Sequence, residues 1–410
     1  MASERHDAVV AETPGAGASF WRDLSPVHAG NALVGFLFAA SGPLAIILAM
    51  GTKGGLSEAD LASWVFGSLA FNGVASIVFS LVWRQPLAFF WTIPGTVLIG
   101  PALGHLTFPE VIGAYIVTGA LMLALGALGL VGRVMAIMPM PIVMGMVAGV
   151  FLQFGLDWIF ALRDGIWIAA PMTAAFLLVS AVPPVARRFP PLIVALMAGG
   201  AAIYQFAPFA LPVDAAHLLA APRLHMPAFS LPALAELVVP LAVTVLLVQN
   251  AQGIAILAAA SHAAPVNAIA VGCGVTSIAA AFVGAVSTCL TGPVNAIISA
   301  AGDRRTQYTA GVLVGVLAVT CAAFAPLLTR LMLSAPPVFI ATLAGLAMLR
   351  VLQSAFTVAF QRRFTLGALV TFLVTVAGVP ILNIGAPFWA LVAGMAVSLL
   401  LERDDWRARD

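Results

Sequence analysis

Charged residues make up only 8% of this 410-residue chain, against about 25% in an ordinary soluble domain. So little charge cannot clothe a water-soluble surface, and 62% of the residues are hydrophobic. The three cysteines, Cys273, Cys289 and Cys321, all lie in apolar stretches; they are too few for a disulfide framework and have no metal-ligand spacing, so no metal or other cofactor is expected. A net charge of +2 without a basic run is too small to imply a nucleic-acid partner, and none is expected. No Asp or Glu falls in the middle of any apolar run, and no HExxH, GxSxG or Walker A pattern occurs, which argues against an enzyme. Met1 to Ser19 is polar and lacks the apolar core of a secretory signal, so the first hydrophobic segment is expected to be retained.

What is present is a succession of apolar runs near the roughly 20 residues that a helix needs to cross a bilayer. Hydropathy with Pro, Gly and charge punctuation predicts an all-α membrane protein of about 14 crossings, with the lipid bilayer as its solvent. With the N-terminus inside, most arginines fall at cytoplasmic ends, and only Lys53, Arg163, Arg223 and Arg330 fall outside. By the positive-inside rule this predicts a multi-pass protein of a bacterial-type inner membrane with both termini cytoplasmic.

Weak internal similarity links the stretch around Ser41-Gly42-Pro43 to that around Gln249-Asn250-Ala251-Gln252, and the stretch at Pro141 to that at Pro337. The shift is seven crossings, an odd number, so a 7+7 inverted repeat is expected. Chance likeness between apolar segments is the plain alternative.

The third matching pair is the most informative. Crossing 3 reads Phe89-Phe90-Trp91-Thr92-Ile93-Pro94-Gly95-Thr96, and crossing 10 reads Ser287-Thr288-Cys289-Leu290-Thr291-Gly292-Pro293-Val294-Asn295. Pro favours the first helical turn and keeps the preceding residue out of the helix, so each reads as a short extended piece followed by a half-helix. Irregular backbone at membrane depth is tolerated where it is buried or lines a cavity. Both half-helices are expected to begin near the midplane and to turn their positive ends toward one point, which favours an anion. Ordinary proline kinks are the bland reading. The candidate binding residues are Ser41, Thr92, Gly95, Thr96, Gln249, Asn250, Gln252, Thr291, Gly292 and Asn295, because amides and hydroxyls offer donors to a carboxylate without a charge of their own. Interhelical packing is their ordinary use. Phe89, Phe90 and Trp91 are candidates for an aromatic wall or, more commonly, an interfacial belt. Asp157, Glu110 and Glu236 read as solvated or paired interface groups.

At these residues the chain resembles the benzoate:proton symporter (BenE) family, a family related to uracil and xanthine permeases and to sulfate-type anion carriers. The resemblance runs from Ser25-Pro26 to about Leu401 and rests on Phe90 to Thr96, Thr291 to Asn295 and Gln249 to Gly253 taken together. It implies a core domain at 26–131 and 235–330 and a gate domain at 132–210 and 331–402. Around them lie cytoplasmic tails at 1–25 and 403–410 and an extracytoplasmic loop at 211–234. It also implies import of benzoate or a similar small aromatic carboxylate with a proton by alternating access, and a homodimer through the gate. An anion exchanger or uniporter for sulfate or dicarboxylates is the alternative carrier, and a passive channel stands behind it.

Overall fold

The computed structural model describes residues 20–206, 218–300, 302–381 and 384–408. Most of the expected N-terminal tail, part of the 211–234 loop and the last two residues of the C-terminal tail therefore lie outside the described residues. The chain is helical. In order it forms α1 (Phe20–Asp23), α2 (Pro26–Ala39), α3 (Gly42–Lys53), α4 (Glu58–Trp83), strand β1 (Phe89–Trp91), α5 (Ile93–Ala102), α6 (Phe108–Ala127), α7 (Val131–Ile137) and α8 (Met140–Asp164). There follow α9 (Ile166–Ala181), α10 (Pro183–Arg188), α11 (Pro191–Phe206), α12 (Leu231–Ala259), α13 (Val266–Ala281), strand β2 (Thr288–Leu290), α14 (Gly292–Ile298) and α15 (Tyr308–Ala322). The chain closes with α16 (Ala325–Leu333), α17 (Pro337–Phe360), α18 (Thr365–Ala377), α19 (Ala386–Leu401) and α20 (Arg403–Arg407).

Six helical stretches among the described residues are long and apolar enough to cross a bilayer, or seven if α15 and α16, bent by 74° at their junction, count as one. This is fewer than the fourteen crossings expected, because α5, α9, α11, α13, α18 and α19 are apolar but 16 residues or shorter. The first expected crossing is itself broken: Pro43 enters at the start of α3, and Ala40 and Ser41 separate it from α2. Two expected boundaries also move. Helix α12 starts at Leu231, inside the expected loop, and α16 runs across the 330/331 division while packing on α4. Large apolar side chains point outward along the short helices, among them Leu177, Leu178, Met197 and Leu399 to Leu401, as a lipid-facing surface requires.

Helices meet most extensively in the pairs α8 with α17, α6 with α13, α4 with α15, α18 with α19, and α9 with α11. Small residues make these approaches, since packing rather than hydrophobicity drives helix association in lipid. A Cβ on Gly73 would stand 2.7 Å from the Gly315 carbonyl oxygen across the α4/α15 contact, and one on Gly274 would stand 2.7 Å from that of Gly119 across α6/α13.

Helix α12 widens into π geometry twice, at Leu234–Val238 and Thr244–Asn250. Pro240 explains the first widening: it lacks the N–H that would bond the Glu236 carbonyl, and its ring crowds that same group. The second carries Gln249 and Asn250.

Candidate functional site

Strands β1 and β2 pair antiparallel in the middle of the chain's core, with Phe89 opposite Leu290, Phe90 opposite Cys289 and Trp91 opposite Thr288. Backbone bonds continue the ladder at both ends, from Thr92 N to Ser287 O at 2.9 Å and from Thr291 N to Ala88 O at 3.2 Å. A two-stranded ribbon leaves two open edges, and at membrane depth those edges need partners within the protein. Side chains supply them. Ser76 Oγ on α4 accepts from Phe89 N at 2.8 Å, and Ser277 Oγ on α13 accepts from Thr288 N at 2.9 Å. Asn250 Oδ1 on α12 accepts from Leu290 N at 2.7 Å. Asn295 closes one end of the ladder: Oδ1 accepts from Ala88 N at 3.0 Å, and Nδ2 donates to Ala88 O at 2.9 Å and to Thr291 O at 2.6 Å.

Pro94 and Pro293 sit in the first turn of their helices as expected, but each helix begins one residue earlier, at Ile93 and Gly292, so the residue before the proline is already helical. Thr92 caps α5, its Oγ1 accepting from Gly95 N at 3.2 Å while it donates to Thr244 Oγ1 on α12 at 3.3 Å. Thr96 Oγ1 donates back to Thr92 O at 2.8 Å. Gly95 sits where a Cβ would stand 2.9 Å from Leu241 and would collide with Thr92, so only glycine lets α12 come this close. On α14, Thr291 occupies the cap position without a side-chain cap bond. A Cβ on Gly292 would stand 2.5 Å from the Gln252 amide.

The antiparallel register sets the spacing of the two helix starts: Thr92 and Thr291 lie at opposite ends of the ladder, four residues or about 13 Å apart along the strand direction at ~3.3 Å per residue. They flank the ladder. The structure brings Thr92, Gly95, Thr96, Asn250, Gln252, Thr291, Gly292 and Asn295 around this ribbon, with Gln249 buried on the π segment beside it. Ser41 stands apart: its Oγ donates to Phe38 O at 2.9 Å, and it lines a separate apolar cavity of about 320 Å³ with Leu196, Leu328 and Phe339. Phe89, Phe90 and Trp91 are fully buried inside the core and form no interfacial belt.

Two features escape sequence reasoning. Ser76 and Ser277 look like ordinary small residues in apolar runs, and only the fold shows them holding strands. The second is a cavity of about 520 Å³ between α3, α5 and α12 on one side and α8, α18 and α19 on the other. It reaches Val97 and Leu98 on α5, and Lys53, His105, Asp157 and Glu236 stand in its wall. Glu236 is 5% exposed, and its Oε2 lies 2.8 Å from His105 Nε2. Beyond the cavity, Ile46, Val97, Val243 and Leu247 pack against Ile142, Met146, Phe151 and Met348 and seal the seam.

The fold of this helical membrane protein, with its two strand-paired, interrupted segments, is shared with solved membrane-protein structures. It superposes on the transmembrane domain of a cyanobacterium bicarbonate transporter, BicA, with a TM-score of 0.63 at 16% identity, covering 90% of this chain and 96% of that one. On SLC26A9 the TM-score is 0.60 at 13% identity, covering 90% and 64%. The chain belongs to the BenE family, whose description, benzoate membrane transport protein, matches residues 22–400. Its relatives include the inner membrane protein YdcO of Escherichia coli (strain K12), 30% identical over 91% of this chain and 97% of that protein. Another is the benzoate membrane transport protein of Acinetobacter baylyi (strain ATCC 33305 / BD413 / ADP1), 28% identical over 89% and 92%. The protein is a membrane transporter and not an enzyme.

Proposed function

We propose that this protein imports benzoate or a similar small aromatic carboxylate together with a proton, by alternating access in a bacterial inner membrane. The observation that carries the reading is the β1/β2 ribbon with a helix start at each end: backbone N–H groups and helix dipoles there favour an anion, and no carboxylate side chain stands among the ribbon's partners to repel one. The substrate lies in front of the ribbon between the two helix starts, with Thr92, Gly95 and Thr96 on one side, Thr291 and Gly292 on the other, and Gln249 and Gln252 beside it. Asn250 and Asn295 shape the site by holding its backbone, and Ser41 belongs to the wall of the moving seam. The relative from Acinetobacter baylyi, named for benzoate transport, supports this substrate class.

The pattern of helix pairs supports a 7+7 inverted repeat, and with it fourteen segments. Exchanging the halves turns α4/α15 into α13/α6 and α9/α11 into α18/α19, while α8/α17 and β1/β2 map onto themselves. The same pairs support a core formed by 26–131 and, with α12 and α16 kept whole, 231–333, and a gate formed by 132–210 and 334–402, since each of these pairs falls within one domain. Cytoplasmic termini follow from the arginine distribution. A homodimer through the gate and kinship with uracil and xanthine permeases complete the proposal.

Purified protein in vesicles tests it: saturable benzoate uptake driven by an inward proton gradient and abolished by a protonophore is expected. The likeness to a bicarbonate transporter and to SLC26A9 favours a second reading, an exchanger or uniporter for sulfate-like or dicarboxylate anions. Uptake that ignores the protonophore and requires a counter-anion would support that one.

A further inference from the structure

Glu236 is a buried carboxylate that the proposed binding site does not use. It lies on the first π segment of α12, two turns from Thr244, and among the described residues its carboxyl group pairs at 2.8 Å with the imidazole of His105, which follows α5. The His105 side chain is 32% exposed and that of Glu236 6%, so the pair is open to the cavity on the histidine side and closed on the other. What closes it is Gly385, the cap residue before α19: a Cβ on Gly385 would overlap the Glu236 carboxyl group, so the backbone of one domain rests directly on a carboxyl group of the other. Several elements packed near the pair bring groups of their own. Lys53 stands on α3 and Asp157 on α8, the latter held by Gln153 at 2.7 Å. From α6 come Glu110, bonded to Thr107 N at 2.8 Å, and the buried Tyr115. From α18 and α19 the cavity lining has Thr375, Gly385 and Pro387 and no titratable side chain.

Resting on the symport reading above, we propose that His105 and Glu236 are the site of the co-transported proton. With imidazole neutral the pair carries one net negative charge; a proton taken up by the imidazole makes it a hydrogen-bonded ion pair of zero net charge. The change matters in two ways. An incoming carboxylate shares the cavity with Asp157 and Glu236, so neutralising the pair removes repulsion against the substrate. Movement of the two domains past each other at Gly385 also changes the burial of the pair, and an uncompensated buried charge resists burial far more than a paired one. Closure is then favoured when proton and substrate are both aboard, and coupling follows. The site is distinct from the ribbon: eight residues of helix separate Glu236 from Thr244, about 12 Å at 1.5 Å per residue.

The test compares wild type, Glu236→Gln and His105→Gln in vesicles with radiolabelled benzoate, measuring both accumulation under an inward proton gradient and benzoate/benzoate exchange at equal pH. Wild type accumulates and exchanges. Both variants are expected to keep exchange, lose accumulation above equilibrium and lose the pH dependence of uptake; where one of them does not fold, the other decides. Variants that accumulate as wild type does would overturn the proton site while leaving symport intact. Folded variants that lose exchange together with accumulation would also overturn it, since the pair would then belong to substrate binding. A wild type that exchanges benzoate but never accumulates it would overturn the symport reading and this proposal with it.

Discussion

Asn295 holds both backbone groups of Ala88, accepting from its N–H at 3.0 Å and donating to its carbonyl at 2.9 Å, across 207 residues of sequence. One amide thus ties the start of α14 to the residue that leads into β1. Replacing Asn295 by Ala leaves the Ala88 N–H bare in the interior, while Ala88 O keeps its bond from Thr291 N. The expected loss is about 1–3 kcal/mol of unfolding free energy for that unpaired group, read as a lower melting temperature in detergent. Asn295→Asp is expected to be worse, since an ionised carboxylate cannot donate to Ala88 O and Thr291 O.

Ser76 and Ser277 play the same part on the two outer edges of the ribbon, so their removal has matched effects. Ser76→Ala and Ser277→Ala are each expected to cost about 1 kcal/mol or somewhat more. They should lower transport through the stability of the ribbon, with the KM for substrate nearly unchanged. A large KM effect from either would put that serine in contact with the substrate.

Gly315 and Gly274 allow two helix backbones to touch. Gly315→Val and Gly274→Val are expected to destabilise the folded protein by about 1–3 kcal/mol through overpacking, with Ala substitutions milder. Thermal unfolding of the purified variants checks this.

Cys273 and Cys289 are fully buried, whereas Cys321 is partly exposed. A membrane-permeant maleimide is expected to label Cys321 alone in the folded protein and all three after denaturation, which mass spectrometry of the peptides would resolve. Labelling of Cys289 in the native state would mean that the ribbon opens.

The interrupted segments were legible in the sequence because proline acts on its own neighbourhood. Pro94 and Pro293 forecast an extended piece and then a short helix, and Phe89–Trp91 with Ile93–Ala102 and Thr288–Leu290 with Gly292–Ile298 have that form. The register of the two strands was not legible, and with it the spacing of the two helix starts. Amides were recognised as polar groups needing partners, but Asn250 and Asn295 found theirs in strand backbone, a choice that only the tertiary arrangement makes. Glu236 read as an interface residue because it lies near a helix end; its burial comes from Gly385 and its pairing from His105, 131 residues away. The count of crossings rested on hydropathy with Pro, Gly and charge punctuation, and helices of 16 residues or fewer fall short of the length that a spanning helix needs.

The measurement that bears most directly on the account is benzoate uptake into vesicles under an inward proton gradient, comparing wild type with Gln249→Ala and Gln252→Ala. The account predicts saturable, gradient-driven uptake by wild type and a KM raised about tenfold in Gln249→Ala, the loss of one good hydrogen bond to a charged ligand, with folding unchanged. Correctly folded wild-type protein that moves no benzoate under any gradient would contradict it.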